Sequence, residues 1–177
     1  MMLSGGSMVK HKGMSLIEVL VALLVFAVGI VGFAALQLKS VRQVEETYSR
    51  SQAMSVAHDF IERARANLTA ESQAYYLQPS SWSGDLNDPG DCIVTGAAPS
   101  AADACESEQM ARSDVYEVRS SLSGLLVNGK MNYAACDQVY CVTVAWGETQ
   151  LGDCDQASFA DGERQSDAHC VRVEFIP

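Results

Sequence analysis

The feature that most constrains this chain is an uncharged apolar segment near its N-terminus. Val19 to Leu38 is a run of twenty residues without a charged side chain. At a rise of about 1.5 Å per residue, a helix of that length spans about 30 Å, the thickness of the hydrocarbon core of a bilayer. The segment therefore predicts one membrane-spanning helix. It is too long for the apolar core of a secretory signal peptide and continues into helix-forming sequence, so we expect it to be retained.

The charges around this segment predict its orientation. Lys10 and Lys12 precede it, and beyond Arg42 the chain has eight Lys and Arg residues against twenty-one Asp and Glu residues, a net charge of about −13. The positive-inside tendency places the N-terminus in the cytoplasm and the acidic head outside, although Lys39 and Arg42 oppose this orientation. A head of this charge is unsuited to a phosphate backbone, so nucleic acid is excluded as a partner.

All six cysteines lie in the C-terminal half: Cys92, Cys105, Cys136, Cys141, Cys154 and Cys170. An even number beyond a membrane segment is typical of disulfides in an oxidising compartment. None of them forms a C-x-x-C pair, and few histidines are present to complete a zinc shell. Pairing in sequence order, 92 with 105, 136 with 141 and 154 with 170, is one of fifteen possible connectivities.

One acidic residue, Glu18, lies at the start of the apolar helix. A carboxylate in a membrane helix is costly unless it is paired, neutralised or close to the interface. An acid near a helix N-terminus also interacts favourably with the macrodipole, so Glu18 has a purely structural interpretation as an interfacial residue. However, the basic segment Lys10-His11-Lys12 ends at Gly13, five residues before Glu18, which is unusual for a plain anchor.

The segment from Gly13 to Val19, GMSLIEV, closely resembles the processing site of type IV prepilins: a glycine, a hydrophobic residue, three residues and a glutamate. The resemblance implies that a membrane aspartyl peptidase cuts after Gly13 on the cytoplasmic side and methylates the new N-terminus at Met14. Most members of the family have phenylalanine at the position of Met14. The resemblance also implies an assembly role for Glu18, whose carboxylate would meet the free amine of a neighbouring subunit.

Two further segments, Val31 to Gln37 and Gln52 to Asn67, resemble the minor pilin family PilV, the type IV pilus modification proteins. With the leader, these resemblances cover about the first seventy residues. They imply an α+β fold of the type IV pilin kind, in which a long N-terminal helix packs on a small antiparallel β-sheet and disulfides staple the loops.

Beyond the apolar segment the helical pattern continues in amphipathic form. Apolar residues recur mostly at spacings of three and four: Val41, Val44, Tyr48, Met54, Ala57, Ile61, Ala64 and Leu68. The pattern predicts one long helix to about Asn67, with His58 on its surface. The segment from Ser72 to Ala102 is rich in Ser, Gly, Pro and Asp and predicts a loop, in which Trp82 is a candidate for the surface.

The remaining chain predicts a helix followed by strands. Asp103 to Ser123 has helical periodicity at Met110, Val115, Val118 and Leu122. Three strands are predicted at 125–135, 139–146 and 171–176, with Trp146 in the core. The predicted organisation is a leader at 1–13, a transmembrane or filament-core half of the helix at 14–38, an amphipathic half at 39–68 and a disulfide-rich head at 69–177.

Neither an active site nor a cofactor site is predicted. The three histidines have no recognisable nucleophile as a partner: His11, His58 and His169. One acidic segment has the composition of a calcium loop but lacks the EF-hand spacing: Asp153, Asp155, Asp161 and Glu163.

These patterns favour a minor pilin of the type IV pilus, processed after Gly13 and incorporated in the tip or initiation complex that primes assembly for twitching motility and adhesion. Its expected partners are the other minor pilins, the major pilin, the prepilin peptidase and N-methyltransferase, the inner-membrane assembly platform and the membrane itself. It would cross the inner membrane once, with a periplasmic head, and then enter the pilus. Two alternatives remain: a minor pseudopilin of type II secretion and a signal-anchored periplasmic binding or enzymatic domain.

Overall fold

The computed structural model describes residues 13, 15–90, 92, 105–154 and 168–176. Its chain divides into two compact units, one ending at Val44 and one beginning at Glu45. The first helix, α1 (Leu16–Ala66), contributes residues to both units, and its end confirms the predicted long helix. The leader at 1–12 and Met14 lie outside the described residues.

In the second unit, α1 buries one face in the core of the head. The buried residues are Ala53, Val56, Ala57, Phe60, Ile61 and Ala64. Of the regularly spaced apolar residues, Ala57, Ile61 and Ala64 are buried, whereas four others are exposed: Val41, Val44, Tyr48 and Leu68. The buried residues of α1 all lie between Ala53 and Ala64, and the large apolar side chains N-terminal to that stretch are exposed in the described part of the chain.

A short helix corrects the prediction that a loop begins at Ser72. Helix α2 (Ala70–Tyr76) follows α1 closely and is started by a capping box. The Ser72 N–H donates to Thr69 Oγ1 at 3.2 Å, and the Thr69 N–H donates to Ser72 Oγ at 3.1 Å. The polar composition of this segment gave no apolar periodicity from which the helix could be predicted. Its start is fixed by the local capping box instead.

The prediction that Trp82 lies at the surface is wrong. A 3-10 turn at Pro79–Trp82 turns the indole inward, where 8 % of the residue is exposed. Its Nε1 donates to the Tyr76 carbonyl at 2.7 Å, which satisfies the one polar group that burial of a tryptophan leaves without water. The neighbouring serines made the segment appear solvent-exposed.

Helix α3 (Ser107–Leu125) lies within four residues of the predicted start and two of the predicted end. Val115, Val118 and Leu122 are buried, as their spacing predicts. However, the first strand was expected from Leu125, and that boundary is wrong.

The helix continues to Leu125 and is followed directly by a tight turn. The Leu126 N–H donates to the Leu122 carbonyl at 2.9 Å, and Asn128 has a φ of 52°, in the left-handed region. Gly129 lies so close to the helix end that a Cβ atom there would be 3.0 Å from the Leu122 carbonyl oxygen. Because this turn lies between α3 and the sheet, the first strand begins only at Lys130.

Three antiparallel strands complete the head, in the order β1 (Lys130–Cys136), β2 (Val139–Ala145) and β3 (Cys170–Phe175). Tyr133, Val142 and Val173 are neighbours across the sheet, on the face that packs against the core. Trp146, just after β2, is 5 % exposed, which confirms its predicted place in the core.

Phe60 lies at the centre of the core and connects α1 to the other elements. Its ring makes edge-to-face contacts with Tyr76, Trp82 and Tyr133 at centroid distances of 5.3, 4.9 and 5.5 Å. Such contacts add to the free energy of burying the rings. The head is therefore an α+β domain in which α1 packs against a small antiparallel sheet.

Candidate processing and assembly site

The candidate cleavage site lies just before α1. Gly13 is exposed and belongs to neither a helix nor a strand. A Cβ atom built on Gly13 would meet no atom within 4 Å beyond its chain neighbours. The described fold therefore does not itself need glycine at this position, so a requirement for glycine would come from an enzyme that binds the segment.

Glu18 lies in the first turn of α1 and is exposed. The N–H groups of Glu18 and Val19 donate to the Ser15 carbonyl at 3.0 and 3.3 Å, so the helix begins directly after Ser15. Ser15 and Glu18 have the spacing of a capping box, a signal that the sequence interpretation did not use. Among the described residues Glu18 forms no ion pair. It lies at the N-terminal end of α1, where the helix macrodipole favours negative charge.

The apolar segment that follows Glu18 has no protein cover. α1 contains an 18-residue stretch with a mean hydropathy of 2.9, none of which is buried, and by length and composition alone it is able to cross a membrane. Every Leu, Ile, Val and Phe side chain from Leu16 to Leu38 is exposed. An apolar surface of this extent is normally covered by lipid or by other chains.

Three disulfides stabilise the head, with the pairs Cys92–Cys105, Cys136–Cys141 and Cys154–Cys170. This is the pairing in sequence order. The second closes the β1–β2 hairpin, in which Asp137 has a φ of 54°. The third joins the turn at Leu151–Asp153 to the first residue of β3.

A charged cluster that the sequence interpretation missed connects the three helices. Arg63 Nε is 3.0 Å from Asp59, and its Nη1 is 3.3 Å from Asp114 and 2.6 Å from Glu117. Asp114 is 5 % exposed and also accepts a hydrogen bond of 2.6 Å from the Tyr76 hydroxyl. Arg63, Tyr76 and Asp114 belong to α1, α2 and α3 respectively, so the cluster fixes these helices against one another.

The environment raises the pKa of two members of this cluster, Tyr76 and Arg63. Burial raises the pKa of the Tyr76 hydroxyl, and the hydrogen bond to the Asp114 carboxylate raises it further. Burial lowers the pKa of Arg63, but its hydrogen bonds and charge interactions with Asp59 and Glu117 outweigh that effect, so the pKa is raised overall. The members of the cluster pair with one another through ion pairs and hydrogen bonds, as in a structural ion-pair network.

His169 forms a second contact that the sequence did not reveal. Its Nδ1 is 2.8 Å from Glu46 Oε2, which links the residue before β3 to α1. The backbone around it is held as well, because the His169 carbonyl accepts from the Trp146 N–H and the His169 N–H donates to Thr149 Oγ1, both at 3.0 Å. In the sequence, only its position beside Cys170 drew attention to this histidine.

The described residues contain no arrangement typical of catalysis. His58 is exposed and His169 faces Glu46, while every described cysteine is in a disulfide. No group of three or more His, Cys, Asp or Glu in the described residues is placed to hold a metal ion. Of the calcium-like segment only Asp153 is described, and Asp155, Asp161 and Glu163 lie outside the described residues.

Two family models match the sequence. The model of the prokaryotic N-terminal methylation motif matches residues 8–34, which include Gly13 and Glu18. The model described as Type IV pilin Tt1218 matches residues 35–116, which include the rest of α1, α2 and the beginning of α3. No match was found among curated proteins or among solved structures. These matches agree with the arrangement of the long helix and the small disulfide-bonded sheet, and the expected fold is confirmed.

Proposed function

We propose that this chain, a type IV pilin with a prepilin-type methylation motif, is a minor pilin similar to PilV that joins the tip or initiation complex of the pilus. The layout of the N-terminus is the observation that carries the proposal. An exposed glycine precedes the helix, Glu18 lies in the first turn, and the apolar surface that follows lacks protein cover. The role is structural, as in its family, and requires no chemistry from the head.

Cleavage would give Glu18 a partner that the chain does not supply. Removal of residues 1–13 creates an amine at Met14, and a neighbouring subunit in a filament can bring its own amine to Glu18. Within apolar surroundings an unpaired carboxylate is costly, whereas a paired one is tolerated. The pair therefore favours assembly in one register, with the apolar helices packed together.

A membrane anchor followed by an oxidised head supports a periplasmic location for the head before assembly. The apolar helix and the methylation motif fit a membrane-anchored pilin that later enters the pilus. A type IV pilin interacts with other pilins, with the prepilin peptidase and with the assembly machinery of the membrane. Within this set, we propose the other minor pilins as the direct contacts of the head.

The first experiment tests processing. The full chain is expressed with an active prepilin peptidase, and intact mass together with N-terminal analysis of membranes reports loss of residues 1–13 and methylation of Met14. Gly13→Ala should remain full-length, because the added methyl group disturbs nothing in the described fold but blocks the peptidase. Gly6→Ala, a leader glycine away from the cleavage site, is the matched control and should be shortened normally. Normal shortening of Gly13→Ala would refute the processing step.

The second experiment separates processing from assembly. Glu18→Ala should be cleaved but recovered poorly in sheared pili, because a filament would then contain an unpaired amine. Glu45→Ala removes another exposed acid from the same helix and should assemble normally. Equal recovery of the two variants would remove the assembly role from Glu18.

A deletion strain distinguishes the pilus from type II secretion. Deletion should abolish surface pili and twitching but leave exoprotein secretion intact. Complementation with the gene should restore pili and twitching. The match of residues 35–116 to a type IV pilin model favours this outcome. Loss of exoprotein secretion with normal pili would identify the chain as a pseudopilin instead.

A further inference from the structure

An open cleft beside α3 carries an inference that goes beyond the proposed function. The cleft has a volume of about 270 Å³ and lies between α3 and the segment from Ser80 to Pro89. The residues that α3 contributes follow one another at spacings of three and four, so they form one stripe of the helix: Arg112, Val115, Tyr116 and Arg119. Val115 is 2 % exposed and gives the cleft an apolar floor, whereas the other three are more accessible.

Hydrogen bonds within the head hold the opposite wall of the cleft in place. Arg119 Nη1 and Nη2 donate to the Ser81 and Gly84 carbonyls at 3.4 and 2.5 Å. The Ser81 hydroxyl donates to the Tyr75 carbonyl at 2.9 Å, and Gly84 has a φ of 76°, in the left-handed region that favours glycine. The cleft is therefore formed by the packed head itself, as is usual for a ligand site.

Several polar groups of the cleft are not used by the fold. Asp85 and Asn87 are exposed, and neither side chain forms a hydrogen bond or an ion pair with another described residue. The same holds for the hydroxyl of Tyr116, which is half-buried in the α3 wall. A carboxylate only accepts hydrogen bonds, whereas an amide and a phenol both donate and accept them. The cleft therefore presents a mixed set of free donors and acceptors.

The charges of the cleft disfavour a charged ligand. Asp85 and Asp88 line it together with Arg112 and Arg119, so both signs are present. Arg112 is already paired with Glu108, at 2.6 Å. An anion would approach two carboxylates and a cation would approach two guanidinium groups, and either contact is unfavourable. A neutral ligand avoids both.

We propose that this cleft binds a neutral sugar. Adjacent hydroxyl groups of one sugar ring each donate and accept, which suits the free groups of Asp85, Asn87 and Tyr116. The C–H surface of the ring can lie over the apolar floor at Val115. At about 30 Å³ per molecule, a cleft of about 270 Å³ has room for about nine waters, the space of a single sugar ring.

An adjoining cleft indicates that the ligand extends beyond one ring. It has a volume of about 180 Å³, shares Pro89 and Arg112 with the first cleft and reaches the Cys92–Cys105 disulfide. A linear saccharide can place one ring in each cleft, so a disaccharide should bind more tightly than a single ring. The inference concerns a ligand of the head, and no step of the proposed role in the pilus depends on it.

Binding is tested with the full chain in a detergent that has no sugar headgroup, because such a headgroup would compete for the cleft. Saturation-transfer NMR is recorded with methyl glycosides of neutral hexoses and N-acetylhexosamines and with disaccharides of the same sugars. A dissociation constant in the millimolar range is expected for the best single ring, because the site is open and the ligand small. Failure of every member of the panel to bind would overturn the proposal.

Two substitutions locate the binding in the cleft. Asp85→Ala and Asn87→Ala each remove one free polar group and should weaken the binding of the best glycoside about fivefold. Glu148→Ala and Gln138→Ala, an exposed acid and an exposed amide that line neither cleft, are the matched controls and should bind as the unchanged chain does. Tryptophan fluorescence checks that all four variants fold. Equal affinity in the variants and their controls would overturn the proposal.

Matched ligands test the chemical class. Methyl glucoside and methyl glucuronide differ in one carboxylate, and the neutral glycoside should bind at least as tightly, with little dependence on salt. A capped glycine peptide offers amide donors and acceptors without adjacent hydroxyls and should not bind. Tighter binding of the glucuronide, or binding of the peptide as tight as that of the glucoside, would contradict a site for neutral sugars.

Discussion

The two halves of α1 are one helix by hydrogen bonding but have opposite relations to the rest of the chain. From Leu16 to Leu38 every large apolar side chain is exposed, whereas from Ala53 to Ala64 one face is buried in the head. The first half is therefore apolar on all sides and the second is amphipathic. The apolar surface of α1 therefore has two roles. The part from Ala53 to Ala64 stabilises the fold of the head, and the part from Leu16 to Leu38 remains available to lipid or partner subunits.

The largest contrast is expected between two phenylalanines on the same helix. Phe60→Ala should lower the free energy of unfolding of the head by about 3–5 kcal/mol, because it leaves a cavity where the rings of Tyr76, Trp82 and Tyr133 meet. Phe26→Ala removes an exposed ring and should leave this value unchanged. Denaturant titration of the full chain in detergent, followed by tryptophan fluorescence, measures both. A similar loss of unfolding free energy in the two variants would contradict the expected difference between the two halves of α1.

The disulfides should stabilise the head according to the length of chain that each encloses. Replacing Cys154 and Cys170 by alanine should cost about 3 kcal/mol, because the pair closes a separation of 16 residues. Replacing Cys136 and Cys141, which are 5 residues apart, should cost about 1 kcal/mol less. Peptide mapping without reductant checks the connectivity first, and denaturant titration then gives the two losses. The reverse order of losses would contradict the loop-entropy explanation.

Removal of one hydroxyl tests the buried cluster. Tyr76→Phe should lower the free energy of unfolding by about 1–3 kcal/mol, because it removes the hydrogen-bond donor of Oδ2 of the buried Asp114 carboxylate and leaves only the contact of Oδ1 with Arg63. Tyr48→Phe removes a hydroxyl from an exposed tyrosine of α1 and serves as the control, with no expected change.

The same variant has a signature in pH. The folded-state pKa of Tyr76 is raised above its unfolded value, so its neutral form stabilises the head fully below about pH 10 and this contribution is lost as the pH rises further. The free energy of unfolding should therefore fall less steeply above pH 10 in Tyr76→Phe. Burial also raises the pKa of Tyr133, so part of the slope should remain. An unchanged slope would contradict the assignment.

The smallest effect is expected for the contact between His169, the residue before β3, and Glu46 of α1. His169→Ala removes a partly exposed contact with Glu46 and should cost less than about 1 kcal/mol. His58→Ala, at an exposed position of α1, should cost nothing measurable. Thermal unfolding of both variants at pH 6 and 8 provides the comparison, and an equal loss in the two would show that the contact contributes no stability.

Periodicity predicted the elements whose apolar residues recur regularly. The long helix, the core positions Val115, Val118 and Leu122, and the strands after Lys130 follow from local patterns. The positions of Gly13 before the helix and of Glu18 near its start were expected from the end of the basic segment, the start of the apolar run and the resemblance to a prepilin processing site. Their roles in processing and assembly stay predictions, because they depend on an enzyme and on neighbouring subunits.

Features that depend on distant partners were not predictable in this way. Tyr76 and Asp114 are 38 residues apart, and nothing in either neighbourhood indicates the other. Trp82 appeared exposed because its neighbours are polar, yet its burial is decided by Phe60 and by the Tyr76 carbonyl. α2 has few apolar residues, so its cap was the only local signal, and Ser72 in place of the usual Glu or Gln made that signal weak.

Because the six cysteines form three disulfides, their redox state in each molecule indicates which side of the membrane the head has reached. In a reducing cytoplasm the six cysteines would remain thiols, whereas in an oxidising compartment they pair. The number of free thiols per chain, six or none, therefore reports membrane topology without any engineered label. Counting them in cells with and without a functioning export pathway follows the head from synthesis to its destination.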